Sequence, residues 1–233
     1  SNATVARLLA SKVVLVTRGW IGRAVDEAAL NKALFDREGV EVIGVVMNKV
    51  HPGKLDSIAD FASRGFERIG LELLGIVPME NMLAEPTLQQ ICEHIRGRFL
   101  YNESESRRHS KQVVIGAVSS ANLFHGVKEG TLLVVPGDRE DVVLAALSRS
   151  MAPEGRLLAG LVLSDDLRPH ARLLDMLGQT TLPVILSPMD SYTIAQKIHS
   201  MTVKTLPGDT EKIDRIQGLI LRHVAIPRLL EKL

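Results

Sequence analysis

Short runs of Val, Ile and Leu alternate along this chain with longer stretches whose apolar residues recur at helical spacing, and that alternation leaves few folds open. Strand, helix and strand in succession bury their apolar surfaces most readily as a parallel sheet with helices packed on it. The pattern predicts strands over 12–17, 42–47 and 73–77, with helices over 24–38, 54–69 and 87–95 and a short helical piece at 5–10. These strands read as apolar on both faces, as in a sheet covered by helices on each side. A second series predicts strands over 112–117, 132–135, 158–163 and 184–186, with helices over 141–148, 170–177 and 192–199. In the tail, Ile213, Ile216, Gln217, Ile220 and Leu221 keep helical spacing over 210–224, and Leu229 and Leu230 follow Pro227 in a short terminal segment.

Between the two series, Asn102 to Lys111 is polar and without apolar period, which reads as a linker over 101–111. The expected organisation is a first domain over 4–100, a second over 112–205 and a helical segment over 206–233. The fold class is α/β, two small domains each with a mainly parallel sheet flanked by helices. A sheet of three strands is small, so at least one of its edges is expected to be uncovered within this chain, either because an N-terminal half of the domain is missing or because an oligomer partner covers it. Ser1-Asn2-Ala3 has the look of residue left by a cleaved expression tag and is set aside from the fold argument.

Composition narrows the function classes. Lys and Arg number 28 against 27 Asp and Glu, a formal charge of +1 that disfavours an electrostatically driven nucleic-acid binder. Aromatic residues make up only 3% of the chain, too few for a single-strand binder built on stacked rings. A single cysteine, Cys92, precludes an internal disulfide or a Cys-cluster zinc site, and the seven histidines show no H-x-H or H-x-x-x-H spacing. Apolar runs such as 13–16 and 42–47 fall far short of the roughly 20 residues that span a bilayer. These features point to a cytoplasmic protein with neither nucleic acid nor membrane as partner.

Candidate sites lie at strand ends. No Gly-x-x-x-x-Gly-Lys-Ser/Thr string occurs, so the loop that wraps phosphates in backbone amides is missing from the sequence. Gly19-Trp20-Ile21-Gly22 follows a predicted strand and precedes a helix, and either presents amides to an anion or is a plain turn. Asn48 and Lys49 end a buried strand, where open α/β sheets bind ligands and where an Asn amide can pair with a purine edge; the plainer reading is a loop start before Pro52-Gly53. In the second half Gly137-Asp138-Arg139-Glu140-Asp141 follows a buried strand at a helix start. Arg139 suits a phosphate or carboxylate, with Asp138 capping the helix or holding the arginine; local ion pairing is the alternative. His125, Ser191, Tyr192 and Thr193 lie at other predicted ends and are candidates for the same rim. Cys92 sits on an apolar helical face, as a buried inert thiol does.

Gly19-Trp20-Ile21-Gly22-Arg23 with Asp26-Glu27, then Gly44-Val45-Val46-Met47-Asn48-Lys49-Val50, then Leu74-Gly75-Ile76-Val77-Pro78, resemble in order and spacing the later half of a dethiobiotin synthetase-like P-loop domain. That domain type also opens long bacterial phosphotransacetylases and is related to cobyrinic acid amide synthases. The resemblance implies an incomplete P-loop NTPase-like, Rossmann-like first domain, with Asn48, Lys49 and Pro78 near an adenine and Gly19, Gly22, Asp26 and Glu27 in a switch-like loop. The P-loop, its lysine and the acidic magnesium ligands belong to the family's first half, so an adenine nucleotide with magnesium is implied only together with that half. Residues 112–204 resemble the DRTGG domain through Gly116-Ala117, Gly130, Pro136 to Asp141, Ala159 to Leu163, Pro183-Val184 and Ser191-Tyr192-Thr193. Where that family often has Thr-Gly-Gly, this chain reads Ser164-Asp165-Asp166.

The implied function is a non-catalytic regulatory, ligand-sensing or assembly module like the N-terminal region of long phosphotransacetylases, binding an adenine nucleotide. Its second domain would carry a ligand or interface site at Gly137 to Asp141 and Ser191 to Thr193. Implied partners are a second copy of the chain, a phosphotransacetylase or another P-loop chain. The alternative is the later portion of an ATP-dependent ligase or amidase of the dethiobiotin synthetase or cobyrinic acid amide synthase type.

Overall fold

The computed structural model describes residues 1–19, 21–151 and 157–233. It is α/β throughout and divides into two compact units, residues 1–81 with 205–233, and residues 82–204.

The first unit runs α1 (Asn2–Leu8), β1 (Val13–Arg18), α2 (Ile21–Arg37), β2 (Val42–Val50), α3 (Leu55–Arg68) and β3 (Leu73–Pro78). Its three strands are parallel in the order β1-β2-β3. Apolar side chains of α2 and α3, including Ala24, Ala28, Ile58, Ala62 and Phe66, pack on the sheet face carrying Leu15, Val45, Met47 and Ile76. Ala3 and Ala6 of α1 join Phe35 and Val40 in a smaller cluster. The opening tripeptide set aside above takes part in this: the Ser1 hydroxyl accepts the Thr4 N–H at 3.3 Å and Ala3 is fully buried.

The second unit runs α4 (Leu88–His94), β4 (Arg98–Tyr101), β5 (Gln112–Ile115), α5 (Ser120–Leu123), β6 (Thr131–Pro136), α6 (Glu140–Ser150), β7 (Leu158–Ser164), α7 (Ala171–Gly178), β8 (Val184–Leu186) and α8 (Ser191–Ser200). Its five-stranded sheet has the order β4-β8-β7-β6-β5, parallel except for β4 against β8. Period-2 alternation divides the core. Leu133, Val135, Leu161, Leu163, Val184 and Leu186 meet α6 and α7, while Leu132, Val134, Val162 and Ile185 meet α4 and α8. The chain then returns to the first unit as α9 (Thr210–His223) and α10 (Ile226–Glu231), the helical character of which the periodicity of the tail predicts.

Three expectations need correction. The stretch 101–111 is no linker, and the units part at 81/82 and 204/205. Asn102 takes a left-handed φ of 58° and its amide donates to the Thr180 and Leu182 carbonyls at 2.9 and 2.8 Å. The carbonyls of Ser106 and Arg108 then accept the Gln89 and Leu88 N–H groups at the start of α4. Hydrogen bonds, with Tyr101 packed on the core at its start, thus order a polar stretch that has no apolar period to betray it. The segment 206–233 is likewise no separate appendage. Val224 bridges Gly75 and the Ala225 N–H donates to the Leu74 carbonyl at 2.8 Å, along the outer edge of β3. Finally, β1 is not covered on both faces: Val16, on the face opposite Leu15 and outside the cluster that α2 and α3 build there, is 65% exposed.

Candidate functional site

At the carboxyl edge of the first sheet the parallel register sets Asn48 beside Arg18 and Pro78 beside Val50. Gly19 follows β1 at a point where a side chain would lie 2.7 Å from the Val50 Cα, so the chain leaving the strand closes on β2 only because the residue is glycine. Asn48 and Lys49 belong to β2 rather than to a loop, and Lys49 has a φ of 60°. The Asn48 Oδ1 accepts the Lys49 N–H at 2.8 Å, which turns this amide onto its own backbone. Gly22, Asp26 and Glu27 lie in α2, so the expected switch-like loop is helix; the Glu27 carboxylate accepts from Arg23 Nε at 2.7 Å within that helix. Trp20 lies outside the described residues.

The second sheet builds a denser site. The carboxyl ends of β5, β6, β7 and β8 stand side by side, and their four loops are joined by hydrogen bonds into one rim. Arg139, the residue before α6, donates Nε and Nη2 to the two carboxylate oxygens of Asp141 at 2.9 and 3.1 Å. The same guanidinium donates to the Gly116 carbonyl at 3.5 Å and the Val118 carbonyl at 3.3 Å, both in the loop after β5. This mutual pairing holds the Asp141 carboxyl below the usual carboxylate range and raises the guanidinium further. The Glu140 carboxylate accepts the His170 N–H at 2.6 Å, and a side chain on Gly137 would stand 2.0 Å from the Leu167 carbonyl oxygen, so glycine lets the β6 and β7 loops touch.

Beside them the Ser164 hydroxyl donates to Asp165 at 2.7 Å and lies 2.8 Å from the Ser191 hydroxyl. Since Ser164 has one proton, Ser191 supplies the second bond, giving a short chain Ser191 to Ser164 to Asp165. Asp165 and Asp166 have φ values of 62° and 54°, the left-handed conformation that Gly-Gly would adopt freely and that Asp tolerates better than most residues. Their N–H groups donate to the Met189 and Ser187 carbonyls at 2.8 and 2.9 Å, so the turn backbone is occupied. Asp190 caps α8, accepting the Thr193 hydroxyl at 2.6 Å and the Thr193 N–H at 2.9 Å, and these bonds lower its carboxyl. Tyr192 is 71% exposed.

Of the residues read from the sequence, Gly137, Arg139, Glu140, Asp141 and Ser191 are bonded or packed into this rim. Thr193 and Asp138 stand at its helix starts, Asp138 without a capping bond to α6. His125 does not join it. Its neighbour Gly126 accepts from Gln112 at 3.4 Å, at the amino end of β5. The carbonyls of Gly116 and Val118, the Ser164 hydroxyl and Asp190 were missed. Only Asp190 left a signal, the Asp-x-x-Thr spacing of a helix cap. Cys92 is buried on α4 with its thiol pushed up to about 11 by burial, an inert group. Among the described residues no His, Cys, Asp and Glu grouping suits a metal, and no helix is long and apolar enough to cross a membrane.

Two known domain types match this chain. Residues 1–87 match an AAA domain, of the dethiobiotin synthetase-like P-loop type and present here in part, and residues 90–201 match the DRTGG domain. The chain is therefore a partial AAA domain followed by a DRTGG domain, the order found in the N-terminal region of phosphate acetyltransferases. It is 31% identical over 193 residues to the phosphate acetyltransferase of Pseudomonas putida, covering 79% of this chain and 27% of that enzyme. Against the Pseudomonas aeruginosa phosphate acetyltransferase the identity is 28% over 240 residues, 96% of this chain and 34% of the enzyme. The chain thus spans about a third or less of these relatives. A crystal structure of the CBS and DRTGG domains of the Clostridium perfringens pyrophosphatase regulatory region, complexed with diadenosine tetraphosphate, aligns with a TM-score of 0.42 at 17% identity over 89% of this chain and 86% of that one.

Proposed function

We propose that this chain is a cytoplasmic regulatory module that senses an adenine nucleotide at the rim of its second unit and acts on an associated phosphate acetyltransferase activity. The observation that carries the reading is Arg139, a fork-shaped cation held by two backbone carbonyls at the carboxyl edge of the sheet, within a rim of serine hydroxyls. A guanidinium so placed suits a phosphate, which it can bind through two parallel hydrogen bonds. Pairing and hydrogen bonding hold the Asp141 and Asp190 carboxyls down and the Arg139 guanidinium up, away from neutrality, which suits binding rather than proton transfer. Exposed Val118, Leu167 and Tyr192 on the same rim suit self-association.

Calorimetric titration with ATP, ADP and AMP, with and without magnesium, tests this. Saturable binding that disappears in Arg139→Ala and persists in Asn48→Ala is expected. Loss in Asn48→Ala with retention in Arg139→Ala would move the ligand to the first unit and overturn the assignment. Light scattering should report a dimer, and a monomer at every concentration would remove the self-association part.

A further inference from the structure

We infer that Asp141 is a built-in competitor for the ligand's phosphate, so that the rim opens by exchange of this carboxylate for the incoming anion; this rests on the ligand-sensing reading above. The two donors that a phosphate would take from Arg139, Nε and the Nη2 on the same side, are those Asp141 now occupies, at 2.9 and 3.1 Å and in the same bidentate geometry. The Gly116 and Val118 carbonyls hold the guanidinium from another direction, so it keeps its place when the carboxylate leaves. Both side chains reach solvent, Arg139 at 37% and Asp141 at 50% exposure, which leaves the pair open to attack. Asp141 lies in the first turn of α6, where a freed carboxylate remains favourably placed near the helix N-terminus. The pair is exposed and therefore weak, which makes it displaceable by a ligand of ordinary affinity. The neighbouring Asp165 turn offers no alternative, since its N–H groups already bond Met189 and Ser187.

The test is titration of the whole chain and its variants with ATP and, separately, with inorganic phosphate. Asp141→Asn should bind both probes about five-fold more tightly than the wild type, the size expected for removing an exposed bidentate pair. Asp141→Glu should change affinity little. The double variant Arg139→Ala with Asp141→Asn should bind no better than Arg139→Ala, which separates competition for the guanidinium from a general gain on losing a negative charge. Thermal unfolding of each variant establishes that it folds. Wild type and Asp141→Asn binding equally, or tighter binding that survives in the double variant, would overturn the competitor role and leave the sensing reading standing. No binding by any of the proteins at millimolar ATP or phosphate would overturn the sensing reading, and the competitor role with it.

Discussion

In the second unit every residue of β7 from Leu158 to Ser164 is buried, whereas in the first unit β1 buries only Thr17 and leaves Val16 65% exposed. Both sheets come from the same alternation of strand and helix. The difference lies in what flanks the strands: β7 has β6 and β8 beside it and helices on both faces, while β1 ends its sheet. The other edge of the first sheet is met by a segment that arrives from the far end of the chain. There Val224 bridges Gly75, Arg215 pairs with Glu80, and Arg228 and Lys232 reach Glu72 at 3.1 and 2.7 Å. The second unit is complete within one stretch of sequence, and the first borrows its edge. Among the described residues the buried Thr17 hydroxyl finds no hydrogen-bond partner.

The sharpest way to break this contrast is to truncate one strand residue in each sheet to alanine. Leu161→Ala in β7, a fully buried position, should cost about 2–5 kcal/mol, while Val16→Ala in β1 should cost less than about 0.5 kcal/mol, read from denaturant unfolding of each variant. Equal losses would mean that Val16 is covered in solution. Next in size are the glycine contacts. Gly137→Ala places a methyl 2.0 Å from the Leu167 carbonyl and Gly75→Ala one 2.3 Å from the His223 carbonyl, so each should cost about 1–3 kcal/mol. Hydrogen exchange should distinguish them. Gly75→Ala is expected to deprotect the Ala225 amide and α10, and Gly137→Ala the loops after β6 and β7.

A smaller effect comes from Glu72, whose carboxyl is held below its ordinary value first by the Lys232 hydrogen bond and then by the charges of Lys232 and Arg228. A lowered carboxylate contributes stability that is complete above its unfolded pKa and lost as pH falls through the folded one. Glu72→Gln should therefore lose no more than about 1 kcal/mol at pH 7, and its melting temperature should converge with the wild type's as acid takes the pH through the lowered Glu72 range. A gap that stays constant into acid would show that packing, not charge, is what Glu72 supplies. The smallest change runs the other way. Gly22 lies in α2 with no described residue other than its neighbours in the helix within 4 Å of a methyl placed on it, so Gly22→Ala should stabilise the chain by about 0.5 kcal/mol, visible as a small rise in melting temperature.

Much of this architecture is legible in the residues because strand and helix periods are local. The runs at Val42 and Leu158 and the helical spacing from Ile213 to Leu221 each announce their element within a few residues. β4 was not legible: Arg98-Phe99-Leu100-Tyr101 is too short to show a period, and it becomes a strand only by lying antiparallel to β8, nearly ninety residues on. Of the site, Arg139 and Asp141 were visible as a dense cluster of charge after a buried strand. The Ser164 and Ser191 hydroxyls could not be paired from sequence, since each is an ordinary polar residue at a strand or helix end.

By itself, then, the sequence determined the succession of strands and helices, the α/β class and the strand ends where a site would form, all consequences of neighbouring side chains sorting between core and water. The tertiary structure alone decided that Arg139 leans on the carbonyls after β5, that the loop at Leu167 closes on Gly137, and that the tail returns to β3. Those contacts join residues tens to more than a hundred positions apart, where no local period carries information and only the folded register brings the groups within hydrogen-bond reach.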